Sequence, residues 1–461
     1  MSPDSRGTTL RQRSSKAVNN ERLQDVLSRF TSLLTALRTG ASYTLGNYEE
    51  LREAARSIRA HVVANLPEVL DRLAGEVEAR GGRIWWASTA GEATEYVCDV
   101  ARRTGARVAV KSKSMVSEEI GLNSALQAAG VEVVETDLGE WIIQLAGETP
   151  SHIVGPAIHK TTEEVASLFS RVAGRTLPDV PAELAAFARA HLREKFLTAG
   201  IGISGVNFAI AETGSVVIVT NEGNGRMVTS LPRVHVAIMG MERALETWQQ
   251  LDVLLALLTR CATGQEVTAY VSAITGPRRP GEIDGPDEFH LVILDNGRSE
   301  ILGTEFQEIL HCIRCGACLN ACPVYRQIGG HAYGSVYSGP VGAVLTPILR
   351  VADPAPDLAY ACSLCGACHQ ACPVKIRLPD LLVAARRKDA EHAGTIERLA
   401  WSAWAQAWRR PAIYRASCRA TSVAGRWVPE SLIPKRWTAG RSLPRPTPSG
   451  GVRAPGWQGG S

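Results

Sequence analysis

The sequence predicts an α/β domain followed by a small α-helical, cysteine-rich domain. Three observations carry that prediction. Between about residues 81 and 302, apolar runs of strand length alternate with helical stretches, the pattern of parallel βαβ units. Beyond Gly303 the alternation stops, and short helices, cysteine, glycine and proline take over. Within that second region Cys312, Cys315, Cys318 and Cys322 precede Pro323. The same spacing returns as Cys362, Cys365, Cys368 and Cys372 before Pro373.

Length and composition bound the reading. At 461 residues the chain exceeds the size at which one core stops growing, so two or three domains are expected. A hydrophobic fraction of 45% suits globular folding, and a nearly balanced net charge of +4 gives no argument for nucleic acid, which would need a concentrated basic face. Eight of the 11 cysteines sit in the two runs, while Cys98, Cys261 and Cys418 are scattered. That is thiol usage of a reducing compartment, not a disulfide framework, and points to the cytoplasm. The polar N-terminus lacks the apolar centre of a signal peptide. No apolar run reaches the roughly eighteen residues that a transmembrane helix needs.

Taken in order, residues 1–20 are polar and expected to be disordered. Residues 21–80 predict three packing helices. The first, Glu21 to Leu37, repeats apolar residues at helical spacing through Leu23, Val26, Leu27, Phe30, Leu33, Leu34 and Leu37. The others cover Tyr48 to Asn65 and Pro67 to Arg80. The α/β domain, 81–302, opens with a strand at Arg83 to Ala87 and a helix at Glu92 to Thr104. A strand at Arg107 to Val110, a helix at Glu118 to Ala129 and a strand at Val131 to Glu135 follow. Helices are expected over Thr162 to Ala173 and Pro181 to Ala199, then strands over Phe208 to Ala211, Val216 to Thr220 and Val234 to Met239. A long helix from Glu242 to Ala262 and strands at Val267 to Ile274 and His290 to Asp295 close the domain. In the cysteine domain, 303–394, helices are expected at Val341 to Arg350 and Pro379 to His392, with Pro379 suited to a first helical turn. The last stretch, 395–461, carries a helix rich in Trp and Arg and then a Pro/Gly/Ser tail expected to be disordered. Trp401, Trp404 and Trp408, followed by Arg409 and Arg410, form a face suited to packing on the cysteine domain or to peripheral contact with a membrane surface.

The cysteine runs carry the strongest chemical signal. Each reads C-x2-C-x2-C-x3-C-P, the bacterial run for iron–sulfur ligation, in which three cysteines hold one cluster and the fourth reaches the other. This groups Cys312, Cys315 and Cys318 with Cys372, and Cys362, Cys365 and Cys368 with Cys322. Two [4Fe–4S] clusters are therefore expected, acting as a single-electron relay. Zinc sites favour two C-x2-C pairs or Cys/His mixtures instead. Arg314 and Lys375 could offset cluster charge, or be solvated surface charges. His331, Tyr333 and Tyr337 could line a cluster, although buried aromatics more often pack a core.

A second candidate lies in the α/β domain. Gly200, Gly202 and Gly205 match G-x-G-x-x-G, but a predicted helix precedes them and an extended run follows, so no dinucleotide site is expected. Glu212 to Gly225 places polar and glycine residues around the strand from Val216 to Thr220. Ligand crevices of open α/β sheets lie beyond the carboxyl ends of strands. Glu212, Asn221, Glu222 and Asn224 are thus candidate crevice residues, with either glutamate as base, nucleophile or binding carboxylate. The alternative is a tight turn whose glycines serve only the backbone. Lys111-Ser112-Lys113-Ser114 could hold an anion or form a solvated loop. His152, His159 and His235 are isolated and lack metal-ligand spacing. No nucleophile elbow or Walker loop occurs, and no catalytic residue is assigned.

Several long strings resemble the lactate-utilisation protein B family, the iron–sulfur subunit of a bacterial lactate-utilisation system. They are Lys111 through Asn123, Ser151 through Lys160, Ala211 through Arg226, Asp284 through His290, and all of Cys312 to Pro373. The resemblance spans about residues 20–390. It implies a lactate-utilisation domain, similar to ribose-5-phosphate isomerase and CoA-transferase folds, followed by an α-helical double-cluster ferredoxin domain. It also implies work with other subunits of a complex that oxidises L-lactate to pyruvate, this chain carrying electrons to an acceptor that is not assigned and not acting as a catalyst alone. Two features depart from the family's pattern: members often lack a cysteine at the position of Cys362, and the tail after about Gly394 reads as unrelated. Two other functions stay open. One is electron transfer for another 2-hydroxy acid dehydrogenase. The other is an α/β domain that binds a small anion or acyl thioester, with the clusters as sensor.

Overall fold

The computed structural model of the chain describes residues 8–349, 357–391 and 394–424. Four helices come first: α1 (Leu10–Val18), α2 (Glu21–Tyr43), α3 (Tyr48–Ala64) and α4 (Leu66–Ala79). The first corrects the expectation of disorder over residues 1–20. Thr9 and Gln12 form a reciprocal capping box, Leu10 and Ala17 are buried, and Arg13 Nε donates to Ala332 O at 2.9 Å. Residues 1–7 lie outside the described residues. The apolar stripe of α3 and α4, including Val62, Leu66, Val69, Leu73 and Val77, enters the core.

The α/β region follows in the order β1 (Arg83–Ala87), α5 (Ala90–Thr104), β2 (Val108–Lys111), α6 (Met115–Glu119), α7 (Leu122–Ala128), β3 (Glu132–Glu135) and α8 (Leu138–Ala146). Then come α9 (Thr162–Ala173), α10 (Pro181–Thr198), β4 (Ile201–Gly205), β5 (Phe208–Ile210), β6 (Ser215–Thr220), α11 (Asn224–Ser230) and β7 (Val234–Gly240). The region ends with β8 (Ala244–Leu245), α12 (Trp248–Thr263), β9 (Tyr270–Ile274) and β10 (Glu288–Leu294). Six strands make a parallel sheet in the order β1-β10-β7-β4-β2-β3. The other four form a second sheet, β8-β5-β6-β9, antiparallel except for the β5–β8 pair.

The parallel sheet is covered on both faces, which explains the unbroken apolar runs of β7 and β10. Val236 and Ile238 face one side with Val97, Ala101 and Leu126. Ala237 and Met239 alternate to the other side, where they share one core with α4, α12, the second sheet and the cysteine region.

Several expectations shift. The predicted helix from Glu118 to Ala129 is two helices broken at Gly121, whose φ is 66°. The predicted start of the long helix at Glu242 is wrong: Met241–Arg243 is a 3-10 turn at the end of β7, and α12 begins at Trp248. The glycine run is itself the central strand β4. A Cβ on Gly202 would lie 1.9 Å from Val228 O, so this glycine lets α11 pack against the sheet. The helix expected before this run is present as α10, and an extended run, β5, follows it.

The cysteine region contains α13 (Ala317–Ala321), α14 (Tyr325–Ile328), α15 (Gly339–Leu345), α16 (Ala367–Ala371) and α17 (Leu378–Glu391). Arg350 and His392, the predicted ends of two helices, lie outside the described residues. One compact unit runs to Asp389, across the boundary expected near residue 303, and a second begins at Ala390. That second unit holds α18 (Thr395–Arg409) and α19 (Pro411–Ala424). Within it Trp404 packs at a tilt against Trp408, and Trp408 against Tyr414, each at 4.9 Å between ring centroids. The Pro/Gly/Ser tail lies outside the described residues. Among the described residues no helix is long and apolar enough to cross a membrane.

A buried ion network joins the sheet to the cysteine region. Arg298 donates from Nη1 and Nη2 to the two carboxylate oxygens of Glu119 at 2.9 and 2.8 Å, and from Nε to Glu242 at 2.8 Å. Tyr337 Oη donates to Glu119 at 2.8 Å, and Arg314 Nη2 to Glu242 at 3.2 Å. Arg298 and both carboxylates are essentially inaccessible to water. Removing one partner of such a set leaves an uncompensated buried charge, at a cost of about 3–5 kcal/mol. Arg298→Met is therefore expected to lower the thermal midpoint, on the order of 5–10 °C. Lys195→Ala, which removes a surface pair with Glu132, should leave it nearly unchanged. A thermal scan in which Arg298→Met melts with the parent protein would contradict this.

Candidate functional site

The two cysteine runs fold alike. Arg314 and Leu364 each follow the first cysteine of their run by two residues and adopt left-handed backbone conformations, φ 59° and 55°. Such values are uncommon outside glycine. Here they aim backbone N–H groups at sulfur: Arg314 N donates to Cys312 Sγ at 3.4 Å and Leu364 N to Cys362 Sγ at 3.2 Å. The helices α13 and α16 then carry Cys318 and Cys368 inward. The last cysteines accept N–H groups as well, Cys322 from Tyr325 at 3.5 Å and Cys372 from Ile376 at 3.4 Å.

The thiols gather in two groups. Cys312, Cys315, Cys318 and Cys372 line one small cavity walled by Ile153, Ile313, Val341 and Val374. Cys322 lies in the field of Cys362 and Cys365, and Cys368 in that of Cys322, Cys362 and Cys365. None is in a disulfide. Burial pushes the Cys368 and Cys372 thiols up to about 12. As thiolates they therefore need compensating positive charge close by, which metal supplies. Four converging sulfurs with backbone N–H donors fit an iron–sulfur cluster. The groups differ in access. Cys315, Cys318 and Cys372 are buried, whereas Cys365 is exposed.

The neighbours read from the sequence divide. Lys375 is a partly exposed ion-pair partner of Glu49 and Glu53. The Arg314 side chain is buried, lies over the Tyr337 ring at 4.9 Å from its centroid, pairs with Glu242 and faces Cys312. Tyr333 is buried, and His331 donates from Nε2 to Thr149 O at 2.7 Å. His152, unremarkable in the sequence, fastens the Ser151–Gly155 loop to the cysteine region. Its Nδ1 accepts from Val154 and Gly155 N–H at 3.0 and 3.2 Å, so Nε2 carries the proton toward Asn320 Oδ1 at 3.1 Å. Burial holds this ring neutral, with its pKa down to about 3. His159, isolated in sequence, meets Glu148 at 2.6 Å and comes near His331.

The second site is a cavity of about 550 Å³. It opens where parallel strands end, as the crevice rule for α/β sheets requires. Lys113 and Ser114 follow β2, Asp137 follows β3, Val206 and Asn207 follow β4, and Arg243 follows β7. Asn221, Glu222 and Asn224 line it from the end of β6 and the start of α11. Glu212 does not. It sits in the β5–β6 turn at the opposite end of β6, with its N–H on Glu246 O. Glu222 Oε2 accepts the Leu138 N–H at 3.2 Å. Burial, reinforced by Asp137, pushes its carboxyl up to about 7. Lys113 is pushed down by burial and donates to Val154 O at 2.9 Å. Lys111 is structural: it is buried between Glu118 and Glu135, at 2.8 and 2.7 Å. Arg243 and Arg314 complete the lining and were not legible as cavity residues.

The LUD domain family model matches residues 70–294, and the 4Fe-4S dicluster domain model matches residues 308–376. The model for the C-terminal region of lactate utilisation protein B matches residues 384–450, which corrects the reading of the tail as unrelated to that family. The chain is 48% identical to lactate utilization protein B of Bacillus licheniformis over 457 residues, covering 95% of this chain and 94% of that one. It is 47% identical to the Bacillus subtilis protein of that name, covering 95% and 93%. The Geobacillus kaustophilus protein of that name is 50% identical, covering 89% and 88%. These matches agree with the α/β domain and the cysteine region that the structure joins. The chain belongs to the lactate utilisation protein B family.

Proposed function

We propose that this chain holds two [4Fe–4S] clusters and serves as the electron-transfer subunit of a cytoplasmic complex that oxidises L-lactate to pyruvate. The observation that carries the reading is the crossed grouping of thiols. Cys312, Cys315 and Cys318 share a cavity with Cys372, and the first three cysteines of the second run lie with Cys322. The match to a 4Fe-4S dicluster domain and the names of the relatives support it. Such clusters, when bound, pass single electrons.

The chain's own residues set how that transfer proceeds. Backbone N–H groups on Cys312, Cys322, Cys362 and Cys372 stabilise negative charge on sulfur. Arg243 Nη1 donates to Cys312 O at 3.3 Å, and Arg314 adds a second buried cation beside the same cysteine. This positive surplus favours the reduced state at the first group. The second group, with Cys365 exposed, is the one a partner subunit can approach.

Two measurements test this. Anaerobically prepared protein should contain about eight iron and eight labile sulfide per chain, the content of two four-iron clusters. One zinc without sulfide would overturn the reading. In electron paramagnetic resonance, Cys372→Ser should leave the same residual signal as Cys312→Ser, and Cys322→Ser the same as Cys362→Ser. A match of Cys372→Ser with Cys362→Ser would show that each run holds its own cluster and would refute the crossed grouping.

A further inference from the structure

Away from the cysteines, the fold brings two imidazoles and a carboxylate together. Glu148 follows α8, His159 lies in the loop before α9, and His331 opens a short turn after α14 in the cysteine region. One nitrogen of each ring and one Glu148 oxygen all lie within 4.8 Å of one another. The two rings meet edge to face, 4.6 Å apart between centroids. No local spacing encodes this set, because His331 belongs to a different part of the chain from the other two.

The surroundings resemble the support that metal ligands receive. His331 Nε2 donates to Thr149 O at 2.7 Å, which leaves Nδ1 of the neutral ring with a bare lone pair. His159 Nε2 lies 2.6 Å from Glu148 Oε2, and its Nδ1 is buried with no hydrogen-bond partner among the described residues. A buried ring nitrogen without a partner calls for an explanation, and an ion is one of the few that suit it. Lys160 Nζ holds the other oxygen of Glu148, Oε1, so Oε2 is the one turned to the rings. Metal-bound imidazoles are commonly held in this way, by a carbonyl or carboxylate on the second nitrogen, and ligating carboxylates are hydrogen-bonded in turn. The side chains of His159 and Glu148 are 12% and 32% exposed, so an ion can reach them from solvent. Two imidazoles and one carboxylate are the His2Glu donor set of open zinc sites. The same donors also suit ferrous iron, but a given site of this kind binds Zn2+ more tightly than Fe2+.

We propose that Glu148, His159 and His331 bind one Zn2+ ion, through one carboxylate oxygen and one nitrogen of each ring. The ion clamps the 148–160 loop of the α/β domain to the cysteine region. Tyr325 shows what that clamp supports: its Oη donates to Ser151 O at 2.7 Å, and its N–H donates to Cys322 Sγ at 3.5 Å. The loop is thus tied to a cysteine of the second group through a single residue. The zinc site itself does not depend on the cluster reading.

The test titrates the cluster-loaded full chain, anaerobically, with Zn2+ alone against a chromophoric chelator of micromolar affinity. The chain should take one zinc from the chelator while its iron and sulfide stay constant. X-ray absorption at the zinc edge should show only nitrogen and oxygen neighbours, at about 2.0–2.2 Å. His331→Ala, His159→Gln and Glu148→Gln should each weaken zinc binding at least about tenfold. Zinc should also raise the thermal midpoint of the parent chain and not of these variants. The parent chain's spectrum decides the donor set even where a variant fails to fold. No zinc taken from the chelator, sulfur at about 2.3 Å in the first shell, or unchanged affinity in all three variants would overturn the proposal. Iron and sulfide content before zinc is added tests the cluster reading separately.

Discussion

The structure depends on one buried set of charges. Glu242, at the end of the central strand β7, receives Arg298 from beyond β10 and Arg314 from the cysteine region. Burial alone would raise its carboxyl, but Arg298, Arg243 and Arg314 hold it down at about 2. Ions this deep are tolerated only when each has its partners, since desolvation otherwise exceeds the Coulombic gain. The network is therefore complete or not formed. Forming it requires the sheet's carboxyl edge, the stretch after β10 and the first cysteine run to be assembled together. Arg59 of α3 adds the N-terminal helices by donating to Ala244 O and Leu310 O at 3.1 and 2.9 Å. This is the physical reason why the cysteine region is not a separate body tethered by a linker.

That constraint gives the molecule an order. The first cysteine group lies against the α/β domain, buried among Ile153, Val341 and Val374. The second reaches the surface at Cys365. The cavity lies on the other side of Arg314, at the ends of β2, β3, β4 and β7. In the proposed relay a partner subunit meets the chain at the second group, while the first group sits next to whatever the α/β domain holds. Arg314 belongs to both places. It follows Cys312 by two residues, in a strained left-handed conformation, and it lines the cavity.

Much of this was legible in the sequence, for identifiable reasons. The cysteine spacing predicts that the first three thiols of each run lie close together, because they fall within seven residues. Strand and helix periodicity gave most of the parallel sheet. The misses were of other kinds. The Gly200 to Gly205 stretch has too little apolar side chain to look like a central strand, yet β4 needs glycine where Val228 O approaches. Glu242 and Arg243 continue an apparently helical run, but Glu242 is paired with Arg298, Ala244 and Leu245 pair with β5, and the helix is capped only at Thr247. α1 is too short and polar to predict alone; its order comes from contacts with residues over three hundred positions away, Ala332 and Tyr333. Within the crevice, Asn221, Glu222 and Asn224 fell where strand-end logic put them. Glu212 lies at the opposite end of β6, which spacing around that strand could not reveal. Arg314 was read as a cluster neighbour, but its second role depends on a fold-back that no local pattern encodes.

The central claim is that this chain carries electrons away from lactate oxidation through its two cysteine groups. It is tested most directly by assembling the purified partner subunits with L-lactate and a soluble electron acceptor, with the intact chain, with a chain whose second run is disabled by Cys365→Ser and Cys368→Ser, and with no chain. The account predicts acceptor reduction only with the intact chain and background rates in the other two mixtures. Undiminished lactate-dependent reduction without the chain, or with its second run disabled, would contradict it.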